Sequence, residues 1–197
     1  MSRPHPLQSP LHDYFEAKYV AEDDPWDYAT SPYEAHKYAQ TLAALPRAHY
    51  AHALEIGCSV GVFTHRLAPR CDDLLAIDIA PSAVAQAQRR TADQPQVRVQ
   101  QGDAVQALPP SPYDLIVLAE VGYYWSSTNL LRVRDAIVRA LAPGGDLVLV
   151  HWTPAIDDAA LSGDAVHAAF LALDHGAFSA LRHARFHTFR LDVLRRV

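Results

Sequence analysis

Cysteine is scarce in this chain, with only Cys58 and Cys71 among 197 residues. They form no CxxC pair, so neither a disulfide framework nor a cysteine-rich zinc site is expected. Two free thiols in a reducing compartment fit better. Long apolar runs are also missing. No stretch approaches the roughly 18 uninterrupted apolar residues of a membrane span. The first ten residues read as a flexible tail, with three prolines and no apolar core of a signal peptide. Basic residues are the minority, 17 against 22 acidic, for a formal charge of −5. That balance argues against a nucleic-acid partner, which usually demands a basic face. The expectation is a soluble, cytoplasmic protein that binds neither nucleic acid nor membrane. Its oligomeric state is left open.

What the chain does contain is a normal share of hydrophobic residues, 50%, in a length suited to one domain. Residues 1–45 are polar and aromatic and read as an N-terminal helical lid or cap. Asp24-Pro25 and Ser31-Pro32 punctuate them into short helices. Ser31 is placed to cap a helix running to about Ala44, with Pro32 in its first turn and Glu34 three residues on. Residues 46–197 then alternate. Ala51–Ile56, Leu74–Ile79, Val97–Gln100, Tyr113–Ala119 and Asp146–His151 read as buried strands. Val62–Ala68, Ser82–Thr91 and Leu130–Leu141 read as helices between them, the last stopped by Pro143-Gly144-Gly145. This predicts an α/β fold with a mostly parallel sheet covered by helices on both faces. After a helix at Val166–Leu173, the segment Ala184–Val197 offers two strand-like runs with no room for a crossover helix. Those strands should pair antiparallel.

In such sheets ligands bind at the carboxyl ends of the strands. The first of these ends is Glu55-Ile56-Gly57-Cys58-Ser59-Val60-Gly61. Gly57 permits a sharp turn, and Gly61 lets the next helix approach ligand and sheet. A dinucleotide loop would continue G-x-G-x-x-G, but Ser59 and Val62 stand at its second and third glycine positions. The loop therefore suits a ligand without phosphates. Asp78 ends the second strand, where a carboxylate can accept from ribose hydroxyls. Asp103, in Gly102-Asp103-Ala104, can accept from an exocyclic amine, and a backbone N–H such as that of Ala104 can donate to a ring nitrogen. Glu120, Tyr123, Tyr124 and Trp125 follow the fourth strand and offer an acid and aromatics. Each of these features also has a plain structural reading, as a turn, a helix cap or core packing. Their order and spacing carry the argument.

The glycine loop, the acid ending strand two, Gly102-Asp103 and Leu141-Ala142-Pro143-Gly144-Gly145 together resemble the class I S-adenosylmethionine-dependent methyltransferases over residues 50–151. Asp24-Pro25-Trp26, Ser31-Pro32-Tyr33-Glu34, Leu54-Glu55-Ile56-Gly57-Cys58, Phe63-Thr64 and Ala119-Glu120-Val121 are similar to the nodulation protein S family. That resemblance implies a Rossmann-like seven-stranded sheet and S-adenosylmethionine as cofactor. It also implies a saccharide or small-molecule acceptor, since the rhizobial type methylates the free amine of a deacetylated chitooligosaccharide. The resemblance implies that Gly57, Asp78 and Asp103 contact the cofactor, and the candidate cofactor-binding set adds Glu55, Cys58, Ser59, Gly61 and Ile79. Ala104 and Glu120 complete that set, and the resemblance suggests that the Trp26 region folds over it as a lid. Three features depart from the family pattern: Asp27 after Trp26, Gly122 in place of a bulky aliphatic residue, and the tail from His151-Trp152 through Gly163-Asp164-Ala165-Val166-His167.

Candidate bases for deprotonating an acceptor are Glu120 and His151, both at strand ends, with Tyr123 beside them. His151 has the intrinsic range for the role. Five of the 11 histidines lie from residue 151 onward: His151, His167, His175, His183 and His187. None stands in H-E-x-x-H spacing, so no metal is expected. The alternatives are an O-methyltransferase, a non-catalytic protein that binds the same cofactor, and, disfavoured by the missing glycines, a nicotinamide oxidoreductase.

Overall fold

A computed structural model describes residues 10–110, 112–173 and 176–197. The expected N-terminal tail up to residue 9, and His175, lie outside them. In chain order the elements are α1 (Pro10–Ala21), α2 (Pro32–Ala44), β1 (Tyr50–Ile56), α3 (Val62–Leu67), β2 (Cys71–Asp78), α4 (Pro81–Arg90) and β3 (Val97–Gln101). There follow β4 (Tyr113–Ala119), α5 (Ser127–Ala140), β5 (Leu141–Trp152), α6 (Gly163–Leu171), β6 (Phe178–Arg185) and β7 (Phe189–Arg196). Short 3-10 turns occupy Ala68–Arg70 and Gly122–Tyr124.

The seven strands form one sheet in the order β3-β2-β1-β4-β5-β7-β6. The first five are mutually parallel, and β7 inserts antiparallel between β5 and β6. The order reverses between β1 and β4, which opens the crevice where ligands bind in sheets of this kind. This is the Rossmann-like arrangement expected from the sequence, antiparallel ending included.

Alternation along each strand sorts side chains onto two faces. Leu54, Ile56, Ile116, Leu118, Leu147 and Leu149 pack under α5 and α6, against Val133, Ile137, Val166 and Phe170. Ala53, Leu115, Val117, Val148 and Val150 pack on the opposite face with Ala44, Leu45, Phe63 and Leu67 of the α2–α3 layer. Fully burying each such aliphatic side chain contributes about 1.5–3 kcal/mol. α4 covers the β2–β3 side through Val84 and Ala87.

The structure corrects several boundaries. β2 starts at Cys71 rather than Leu74, and α6 starts at Gly163, with the Ser162 hydroxyl capping Ala165 N. The Pro143-Gly144-Gly145 turn does stop α5, but it lies inside β5 as a bulge. Pairing with β4 jumps there from Tyr113↔Leu141 to Leu115↔Asp146, and Gly144 takes φ +74°. The two final strands do not share Ala184–Val197. β6 begins at Phe178, in a stretch whose exposed face conceals the strand pattern.

The capping of α2 follows the sequence: Ser31 Oγ accepts from Glu34 N, and Pro32 opens the helix. Its inward stripe is unusual, because Glu34, Lys37 and Thr41 are buried on it. α1 and the turn around Trp26 lie over the mouth of the crevice. Phe15 and Tyr19 pack there with Val60, Val62, Ala80 and Ala83, and Trp26 and Tyr28 pack alongside.

Candidate functional site

The crevice holds a pocket lined by the ends of β1 to β4 and roofed by α1, α2 and the Trp26 turn. Gly57 N and Cys58 N both donate to Ile77 O, at 2.8 and 3.0 Å, which ties the first loop to the end of β2. Gly57 sits at φ +82°, and a Cβ there would lie 2.7 Å from Val121 Cγ1. Glycine is therefore required both by the backbone and by the approach of the loop after β4. Ser59 is also left-handed, at φ 50°, and its hydroxyl shares a 2.6 Å hydrogen bond with Tyr19.

Asp78 closes this loop from the next strand. Its Oδ2 accepts from Ser59 N at 2.8 Å and its Oδ1 from Ala80 N at 3.0 Å. Burial pushes its carboxyl above the ordinary value, and these backbone donors oppose the rise. Asp103 Oδ1 accepts from Val105 N, whereas the buried Oδ2 has no hydrogen-bond partner. A buried, unsatisfied acceptor is costly and calls for a ligand N–H or O–H. Glu55 Oε2 is likewise buried without a partner, and burial pushes its carboxyl up to about 7.

Glu120 ends β4 in the left-handed region, at φ 58°, a strained position for a residue with a side chain. The backbone is held there by Glu120 N donating to Val150 O. Its Oε2 accepts from Tyr123 Oη at 2.7 Å and Trp152 N at 2.9 Å. Its Oε1 accepts from Lys37 Nζ at 2.6 Å, and Lys37 also donates to Glu34 Oε1 at 2.9 Å. Burial pulls the Lys37 ammonium down, but Glu120 and Glu34 outweigh it and leave it above its ordinary value. Burial pushes Glu34 up, and its Oε2 is buried without a partner.

Trp26, Glu55, Gly57, Cys58, Ser59, Asp78, Ile79, Asp103, Ala104 and Glu120 all line this one pocket. Three expected site residues do not. Gly61 turns away, and a Cβ on it would meet Ala87 Cα and Cβ at 2.8 Å, so it serves the packing of the loop on α4. Tyr123 is buried behind the pocket and reaches it only through Glu120. His151 follows the parity of Leu147 and Leu149 and therefore points under α6, while Val150 faces the pocket.

There His151 is fully buried. Its Nε2 accepts from Gly122 N at 3.3 Å, and its Nδ1 faces His167 Nε2 at 3.1 Å. His167 Nδ1 lies 2.7 Å from Asp192 Oδ2, and Asp192 Oδ1 lies 2.9 Å from His183 Nδ1. Burial holds His151 well below its usual range. His167 is also lowered by burial, against the pull of Asp192. The Asp192 carboxyl is raised by burial, but its histidine hydrogen bonds overcome that and hold it down at about 2. A buried, neutral ring with both nitrogens engaged does not reach an acceptor in the pocket. This packing also accounts for Gly122: a Cβ there would sit 2.6 Å from Val166 Cγ1 and 3.1 Å from His151 Nε2.

Sequence reasoning missed Glu34 and Lys37. An i, i+3 acid–base pair on a helix ordinarily reads as a solvated face. The available signal was its spacing with Thr41 and Ala44, which places all four on one helical stripe. Among the described residues, no group of three or more potential metal ligands gathers, and no helix is long and apolar enough to cross a membrane.

The nodulation protein S (NodS) family model matches residues 8–165. The chain belongs to the nodulation protein S family. Nodulation protein S of Rhizobium tropici is 38% identical over 141 residues, covering 70% of this chain. The chain spans 59% of that relative's length. A trans-aconitate 2-methyltransferase of Methylobacterium nodulans is 33% identical over 113 residues, covering 56% of this chain and 42% of that protein. Among solved structures, the N-methyltransferase NodS of Bradyrhizobium japonicum WM9, in complex with S-adenosyl-L-homocysteine, superposes with a TM-score of 0.83 at 28% identity. That match covers 95% of this chain and 99% of the other, and the shared fold is that of the class I methyltransferases.

Proposed function

We propose that the protein is an S-adenosylmethionine-dependent N-methyltransferase whose acceptor is the amine of a small molecule or saccharide, an amino sugar above all. The observation that carries this is the charge of the pocket. Glu34, Asp78, Asp103 and Glu120 line it beside Glu55, whose carboxyl burial raises to about 7, and among the described lining residues Lys37 is the one cationic side chain. An excess of carboxylates around a low-dielectric crevice favours cationic ligands. A sulfonium donor and an amine acceptor both meet that condition. Kinship with NodS supports the same reading.

The residues present fit the cofactor. Asp78 is placed to accept from ribose hydroxyls. The unpartnered Asp103 Oδ2 fits an adenine amine, and the glycine turn at Gly57 lets Val121 of the loop after β4 pack against the first loop. When bound, the cofactor supplies a methyl group on a sulfonium. The chain supplies orientation, which contributes up to about 7–11 kcal/mol in well-aligned bimolecular reactions. Glu120 holds the acceptor amine at the end of β4, with Tyr123 and Trp152 N fixing its carboxylate. Of the base candidates it is the one that faces the pocket, placed to take the proton that an ammonium acceptor must lose before its lone pair can attack. The Trp26 turn and α1 exclude water above it.

A second reading, O-methylation of a carboxylate, is favoured by the trans-aconitate methyltransferase relative. The acidic pocket opposes it, since a polyanion would meet the carboxylates of Asp78, Asp103 and Glu120. A methylation screen of amino sugars beside their N-acetylated counterparts separates the readings. Turnover of the free amines alone is expected. Equal turnover of both sets, or turnover of polycarboxylates alone, overturns amine transfer.

A further inference from the structure

The loop after β4, which presents Glu120, rests on a buried imidazole. Glu120 is strained at φ 58°, and the Tyr123 hydroxyl and Trp152 N fix its Oε2. His151 touches this arrangement at three points. It precedes Trp152 in β5, its ring meets the Tyr123 ring edge-on with centroids 5.5 Å apart, and its Nε2 lies 3.3 Å from Gly122 N. The partners at the two ends fix every proton in the chain behind it. A backbone N–H only donates, so His151 Nε2 must be bare, and the neutral ring carries its hydrogen on Nδ1. That hydrogen points at His167 Nε2, 3.1 Å away, which must accept it. His167 then donates from Nδ1 to Asp192 Oδ2 at 2.7 Å. Arg190 Nη2 and His183 Nδ1, each 2.9 Å from an Asp192 oxygen, keep that carboxylate an acceptor. Donation thus runs one way, from Gly122 through both rings to Asp192.

We propose that His151, oriented by His167 and Asp192, is a positioning residue for methyl transfer: it anchors Gly122 N and so holds Glu120 toward the acceptor. The inference rests on the role given to Glu120 above. A histidine that only fills space needs no particular donor order, whereas this anchor works in one order alone. A proton gained by either ring reverses it. On His151 the proton occupies Nε2. On His167 it also occupies Nε2, and His151 must then move its own hydrogen from Nδ1 to Nε2. In both cases two N–H groups oppose each other at Gly122. Around the pair stand Tyr123 and Glu120 from the β4 loop, Lys37 from α2, Asp164 from α6, Arg190 and Asp192 from β7 and His183 from β6. Burial, Lys37 and Arg190 oppose the extra proton, against Asp192 and Asp164.

Nitrogen NMR of the full chain reads the donor order directly. At neutral pH, wild-type His151 and His167 should both carry hydrogen on Nδ1 and none on Nε2. Hydrogen on either Nε2 overturns the proposal. Amide hydrogen exchange reads the loop without any methyl acceptor. In His151→Leu the Gly122 and Trp152 amides should lose protection by about tenfold or more, beyond any change at Val148 and Val150 of the same strand. His151→Gln, whose amide oxygen can accept from Gly122 N, should restore most of it. An equal change at all four amides is a loss of stability alone and overturns the proposal. Methylation of fully deacetylated chitobiose reads the consequence. In His151→Leu, kcat should fall about tenfold to hundredfold, with partial recovery in His151→Gln. Affinity for 5′-methylthioadenosine, the nucleoside without its amino acid, should stay within about twofold, which also reports folding. A kcat unchanged in both variants overturns the proposal. If His151→Leu does not fold, the wild-type nitrogen spectrum decides. If wild type methylates no amine, the function proposed above falls, while the spectrum and the exchange still decide whether His151 anchors the loop.

Discussion

Two buried ionisable clusters lie on opposite faces of the sheet, and they differ in how complete they are. Under α6, buried His151, His167 and Asp192 form a closed chain, ended by exposed His183, in which every facing nitrogen and oxygen has a partner. Between α2 and the end of β4, Glu34, Lys37 and Glu120 leave Glu34 Oε2 unmet, as Asp103 and Glu55 also leave one oxygen each. A closed network stabilises and positions, whereas an open one awaits a ligand. The loop from Glu120 to Gly122 joins the two. It presents Glu120 to the pocket and gives Gly122 N to His151.

The contrast breaks first at Asp192. Asp192→Ala leaves His167 and Arg190 without their shared carboxylate, and the expected loss is about 3–5 kcal/mol in chemical denaturation. Little loss would mean that the chain is not the closed structural unit described here.

The pH dependence sharpens the contrast, because the clusters have opposite signs. His151 and His167 are lowered in the fold, so the stability they contribute is present above about 6.5 and is lost as pH falls below it, by at most about 2.7 kcal/mol per unit for two protons. Glu55 is raised to about 7, so its contribution is present below the ordinary carboxylate range and is lost as pH rises through about 7. Denaturation of Glu55→Gln between pH 4.5 and 7 should therefore show a slope more positive than wild type by up to about 1.4 kcal/mol per unit. An unchanged slope would refute the burial of a protonated Glu55.

Gly122→Ala forces a methyl against Val166 and His151. It should cost about 1–3 kcal/mol and leave methylthioadenosine affinity near wild type. The smallest effect is expected from Tyr123→Phe, which removes one of the donors to Glu120. A stability loss of about 1.5 kcal/mol, with S-adenosylhomocysteine affinity unchanged within about twofold, is predicted. A large loss of affinity would bring Tyr123 into the pocket and contradict its place behind it.

The sheet and the pocket lining at the ends of β1 to β3 were legible in the sequence, because continuous apolar runs, glycine turns and strand-end acids are local signals. Ser31-Pro32 announced α2 with its cap. His151 was misread because strand parity decides which face a residue takes, and parity follows from the whole register rather than from proximity to the strand end. Lys37 and Glu34 were missed because a charged pair ordinarily faces solvent, and only the tertiary packing of α2 turns the stripe they share with Thr41 and Ala44 inward. Gly61 was read as a ligand contact, yet the requirement it meets is the approach of α4. Gly122 looked like a departure from the family pattern, and the neighbouring His151 and Val166 supply its reason.

The central claim is that the pocket is a site for a phosphate-free adenosyl amino acid. Titration calorimetry with S-adenosylhomocysteine and with NAD, on wild type and Asp78→Ala, tests it most directly. The account predicts wild-type binding of S-adenosylhomocysteine with a dissociation constant on the order of micromolar, weakened in Asp78→Ala, and no binding of NAD. Binding of NAD with none of S-adenosylhomocysteine would contradict it.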